Sequence, residues 1–146
     1  MPKNIFYRSG YKYRIDEEYS LLTSIKPEWD IVTEYYSIET TGLVTAREGY
    51  MFDGATNAID TSDFMRGALI HDIGCQAILE GRLPENYKAV VDRELIIICG
   101  KDGMSKLRQW YVYKAVNKFS CTNDDPHPLK SAPDRDAVNI DVMGSA

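Results

Sequence analysis

The sequence has no run of basic residues, no long apolar stretch and few cysteines. Acidic residues outnumber basic ones 22 to 17, for a net charge of −5. That balance argues against nucleic-acid phosphates or an anionic lipid surface as the main partner. The longest apolar run, Leu95 to Cys99, is far too short to span a bilayer. The first residues, Met1 to Tyr7, lack the apolar segment of a secretory signal, so the expected site of synthesis and folding is the cytosol. Three cysteines, Cys75, Cys99 and Cys121, with no C-x-x-C spacing, do not form a disulfide framework or a zinc knuckle. Cys75 and Cys99 fall in apolar segments and are expected to be buried thiols. Phosphate-binding glycine loops, G-x-S-x-G, H-E-x-x-H and EF-hand patterns do not occur.

What is present fits one α+β domain. Hydrophobic residues make up 44% of 146 positions, enough for a core. Residues 3–56 have the composition of a small antiparallel sheet. Ile5 to Arg8 and Tyr11 to Ile15 alternate around the turn signal Ser9-Gly10. Trp29 to Thr40 and Leu43 to Phe52 are rich in β-branched and aromatic residues. Most of the ten tyrosines lie in this half, where they can cover one face of the sheet.

The period then changes to that of helices, three of them over about 62–119. Thr61 or Ser62 is a candidate cap for the first, which should run to Leu79 and stop at Gly81. Pro84 suits the first turn of the second, which should end near Gly100. Ser105 is the candidate cap of the third, with Trp110, Val112, Tyr113, Val116 and Phe119 as its apolar positions. The domain is therefore expected over 1–119. Residues 120–146, punctuated by Pro126, Pro128 and Pro133, read as an extended tail that can dock on its own domain or on a partner. Ala137 to Val142 alternates and could add as a strand.

The candidate chemistry lies on the helices. His71 shares a face of the first helix with Gly67, Ala68, Gly74 and Cys75, small residues that admit a close neighbour. Asp92 sits on a largely apolar face of the second helix, where an ionised carboxylate needs a partner. His71 lies eight residues before Leu79, and Asp92 eight after Pro84. Antiparallel packing through the short loop puts the two at one height. A carboxylate that orients an imidazole leaves the second ring nitrogen to take a proton from water or to bind a metal. The same pair can also serve as a structural contact. Asp72 is turned to an adjacent edge, as a ligand or substrate contact. Asp53 and Asn57, in the turn after the last strand, could give hard oxygen ligands to a divalent cation such as calcium, or simply close the turn. His127, between two prolines, is expected to be exposed.

The stretches Gly49 to Thr56, Ala68-Leu-Ile-His-Asp72, Val91-Asp92-Arg93 and Trp110 to Phe119 resemble the domain of unknown function 1353, a family of small phage and prophage proteins. The resemblance spans about residues 5–119. Thr56 and Gly74-Cys75 depart from the usual residues, while Asp53, His71, Asp72 and Asp92 are kept. It implies a phage origin and an uncharacterised activity, in the host cytoplasm or in the virion. The His-Asp helix pair is also similar, more weakly, to phospholipase A2, which implies an imidazole base, an adjacent calcium-binding aspartate and a second aspartate behind the histidine. HD-domain phosphohydrolases need an upstream histidine that the chain lacks before His71. The expectation is a metal-assisted hydrolase with His71, Asp92 and Asp72 as catalytic residues and Asp53 and Asp72 as ligands of a divalent cation. The alternative is a non-enzymatic virion or tail-assembly protein, with phage proteins or further copies as partners through its tail.

Overall fold

A computed structural model describes residues 7–9, 13–52, 62–119 and 141–143. It is α+β, with strands leading into three helices. The strands form two antiparallel sheets. In one, β7 (Met51–Phe52), β2 (Tyr13–Ile15), β1 (Tyr7–Ser9) and β8 (Asp141–Met143) lie in that order. In the other the order is β3 (Tyr19–Leu22), β6 (Leu43–Ala46), β5 (Tyr36–Ile38), β4 (Ile31–Val32).

The expected strand from Leu43 to Phe52 is two strands. Gly49, at φ 95°, takes a backbone conformation that side-chain-bearing residues avoid, and Tyr50 N–H donates to Arg47 O across the turn. The chain thereby passes from one sheet to the other. The stretch from Trp29 to Thr40 likewise divides, because Thr33 closes a tight turn with Tyr36 through both its N–H and its hydroxyl. The alternating end of the tail does add a strand, Asp141–Met143, antiparallel to β1.

Helix α1 spans Ser62–Leu79. It ends at Gly81 (φ 74°), where the N–H groups of Arg82 and Leu83 fold back onto Ala77 O. After Pro84 a 3-10 turn (Glu85–Tyr87) leads into α2 (Lys88–Lys101). Helix α3 spans Lys106–Phe119, and Ser105 Oγ accepts the N–H of Arg108 at 3.3 Å, as a capping residue should. Thr61 lies outside the described residues.

Two glycines set the distance between α1 and α2. A Cβ on Gly74 would sit 2.8 Å from both Val91 methyls, and one on Gly67 would sit 2.8 Å from Leu95 Cδ1 and 3.1 Å from Leu95 O. Gly74 against Val91 and Gly67 against Leu95 also fix the helices as antiparallel. Alanine at Gly74 gains about 0.5–1 kcal/mol of helix propensity, whereas overpacking costs about 1–3 kcal/mol. Gly74→Ala should therefore be net destabilising by about 1 kcal/mol. In a Val91→Ala background, where the opposing methyls are gone, the same change should become stabilising. Urea unfolding of the four proteins measures it, and a Gly74→Ala effect of the same sign in both backgrounds would contradict the close contact.

Other buried polar groups tie the sheets to the helices. Arg66 donates to both Asp102 oxygens, from Nε at 3.0 Å and from a terminal nitrogen at 2.8 Å, and to Tyr19 Oη at 3.1 Å. Tyr36 donates to Glu80 at 2.6 Å and Tyr50 to Gln76 at 2.9 Å. Burial, then the neighbouring Glu80 carboxylate, push the Tyr36 phenol above its ordinary range, so it stays a donor. Of the apolar positions expected on α3, Val112 is buried and Val116 half-buried. Trp110 and Tyr113 instead face outward, 58% and 37% exposed, because the helix packs through its Val112 side and Lys114 covers the Trp110 ring at 4.7 Å.

Candidate functional site

The α1–α2 contact carries the polar cluster. The glycines on α1 let α2 approach closely, and His71 and Asp92 meet in the space between. His71 Nε2 lies 2.8 Å from Asp92 Oδ1. His71 is 6% exposed and Asp92 0%. One turn before Asp92, Lys88 donates from Nζ to Asp92 Oδ2 at 2.7 Å and to Val116 O of α3 at 3.3 Å. The carboxylate thus joins an imidazole and an ammonium, one on each oxygen, and the ammonium reaches a third helix.

The electrostatics assign the proton. Burial alone would raise the Asp92 carboxyl. The hydrogen bonds from His71 and Lys88, with their charges, outweigh burial and hold it below the ordinary carboxylate range. An ionised carboxylate only accepts. The hydrogen in the His71–Asp92 bond is therefore on Nε2, and in the neutral ring Nδ1 is the acceptor.

Beside the His71 ring lies a residue that the spacing argument did not assign to the chemistry. Cys75, one turn along α1, has its sulfur 3.7 Å from His71 Nδ1 and 3.7 Å from Nε2. Cys75 is 4% exposed and disulfide-bonded, which corrects the expectation of a buried thiol. An odd, sparse set of cysteines excludes a framework of bridges but not a single one. Cys99 is a free, buried thiol, as expected, and burial pushes its pKa up to about 12. Cys121 lies outside the described residues. Lys88 and Cys75 both had a sequence signal, their i, i+4 spacing to Asp92 and His71, which brings side chains to one helix face.

The structure brings together His71 and Asp92 as the spacing predicts. Asp72 is half-buried. Asp53, Thr56, Asn57 and His127 lie outside the described residues. Among the described residues no group of three or more His, Cys, Asp and Glu side chains is arranged to hold a metal ion. Among the described residues no helix is long and apolar enough to cross a membrane.

Comparison with protein-family models, with curated proteins and with solved structures finds no match.

Proposed function

We propose that the chain is a phage-type hydrolase in which His71 is the general base and Asp92 its positioning residue. The observation that carries this is the 2.8 Å bond from His71 Nε2 to a carboxylate held ionised by Lys88. That arrangement fixes the tautomer, points Nδ1 away from the carboxylate and stabilises the imidazolium formed when Nδ1 accepts a proton. Asp72, one residue along α1, is assigned to substrate contact in this reading, and with Asp53 it is the pair to test for a divalent cation. The phage assignment rests on the resemblance of the Asp53, His71-Asp72 and Asp92 segments.

General-base catalysis contributes about 10²- to 10⁴-fold. His71→Gln should lower turnover by that factor on whichever ester, amide or phosphodiester substrate the wild type cleaves. Asp92→Asn should lower turnover by less, since the imidazole remains. Equal turnover by wild type and a folded His71→Gln protein across the panel would sink the reading.

The near-complete burial of both side chains favours a second reading, a structural clasp in a virion or tail-assembly protein. The Cys75 disulfide adds to it, since such bonds persist outside a reducing cytoplasm. Copurification with phage particles, together with no turnover on any substrate, supports the clasp.

A further inference from the structure

We infer that Arg14 is the centre of an anion site on the sheet formed by β7, β2, β1 and β8, and that the ligand it takes is a phosphoryl group. The inference is independent of the role of His71.

Arg14 is the middle residue of β2, an inner strand held by β1 on one side and β7 on the other. Its two neighbours mark the core face of that sheet. Ile15 is fully buried, and Tyr13 packs against the buried Phe52 with ring centroids 5.5 Å apart. Strand alternation puts Arg14 on the opposite face. A charged residue on such a face is normally exposed, yet Arg14 is only 9% exposed. Its Nε is shut off from solvent and has no hydrogen-bond partner, the one such side-chain atom among the described residues. The ion pairs of the described residues use Arg66, His71, Arg82, Lys88 and Arg108 as basic partners, and Arg14 enters none of them.

Arg66 shows, in the same molecule, what a buried guanidinium needs. It is as deeply buried as Arg14 and grips Asp102 with two prongs, Nε on one oxygen at 3.0 Å and a terminal nitrogen on the other at 2.8 Å. An arginine stays charged when buried, so an unpaired one is stabilised by an anion brought to it. The Nε edge of Arg14 is the same fork, and that fork matches the paired oxygens of carboxylates and phosphates. Strand register selects between the two. Arg8 of β1 is the direct partner of Arg14. Like charges at opposite positions weaken a strand pair. A phosphoryl group brings about two negative charges to such a position, where a carboxylate brings one. Two arginines at one register position therefore favour the phosphoryl group.

The test is thermal unfolding and titration calorimetry of the full chain at neutral pH, with inorganic phosphate, acetate or chloride at equal ionic strength. At a hundredfold excess of phosphate over its Kd, wild type should gain about 5 °C in melting temperature. Acetate should bind at least about tenfold more weakly. Arg14→Met should bind phosphate at least about tenfold more weakly than wild type. Without phosphate the same variant should be at least as stable as wild type, because it removes an uncompensated buried charge. Arg14→Lys keeps the charge but not the fork, and should also lose most of the affinity. No gain over chloride in wild type overturns the inference, and so does equal phosphate binding by wild type and Arg14→Met. An Arg14→Met protein that is less stable than wild type without phosphate, or that fails to fold, overturns it too, since the guanidinium would then already have its partner. Acetate bound as tightly as phosphate overturns the phosphoryl class. Methyl phosphate bound at least as tightly as inorganic phosphate assigns the site to a phosphate ester, and inorganic phosphate bound alone assigns it to the free ion. Both support the inference.

Discussion

Asp92→Ala is expected to destabilise the protein by about 3–5 kcal/mol, the usual cost of breaking a buried charge network by removing one partner. At this chain length that lowers the melting temperature by about 10 °C. The carboxylate receives His71 Nε2–H and Lys88 Nζ at 2.8 and 2.7 Å and has no exposure of its own. Its removal leaves a ring N–H with no acceptor in a dry contact and an ammonium held against the Val116 carbonyl. The pH dependence has a definite sign. The folded-state pKa of Asp92 is depressed, so its contribution is fully present above the unfolded carboxyl value of about 3.9 and is lost as pH falls through the folded one. The part of the stability gap between wild type and Asp92→Ala that comes from the carboxylate should be full at neutral pH and narrow below about pH 4. Denaturant unfolding across that range checks it. A gap below 1 kcal/mol at neutral pH, on the order of a surface pair, would contradict the network.

Arg66→Met should cost nearly as much, about 3 kcal/mol, although the apolar chain volume is retained. Arg66 bridges three elements. It holds both Asp102 oxygens at the end of α2 and the Tyr19 hydroxyl on β3. Both side chains of the ion pair are nearly inaccessible, so the methionine variant leaves the Asp102 carboxylate buried beside an apolar chain. The double variant Arg66→Met, Asp102→Leu should recover most of the loss, because replacing both charges removes the uncompensated one. Thermal unfolding of the singles and the double measures the coupling. Additive losses would show that the two side chains act independently.

How far the sequence carries depends on whether the signal is local. Helix ends are set by neighbouring chemistry, so Gly81 and Ser105 place the end of α1 and the start of α3 within a residue or two, whereas α2 begins at Lys88, with a 3-10 turn between it and Pro84. The His71–Asp92 contact is nonlocal, yet legible. A short loop makes α1 and α2 antiparallel, and equal offsets from that loop put the two residues at one height. The small face of α1 was a sign of close approach, and Gly67 and Gly74 do meet Leu95 and Val91. Strand order was not legible. Tyr19–Leu22 carries no clean alternation before Thr23, and the division of 43–52 between sheets depends on one positive-φ glycine. Trp110 and Tyr113 were placed inward by hydrophobicity alone, although aromatic rings tolerate a half-exposed surface when a cation lies over them. The oxidation state of Cys75 is a property of partner and compartment, which spacing does not encode. Asp53, the third acidic candidate, lies outside the described residues.

Which nitrogen of His71 carries the hydrogen decides what the ring can do. The chain has two histidines, His71 and His127, so a long-range proton–nitrogen NMR spectrum holds two imidazole patterns, and His127→Gln identifies the one that belongs to His71. The predicted result is a hydrogen on Nε2 of His71, held by Asp92, in wild type. In Asp92→Asn that preference should weaken. A His71 ring that carries its proton on Nδ1 in the wild-type protein would contradict the account, because the nitrogen left over would then be the one already occupied by Asp92.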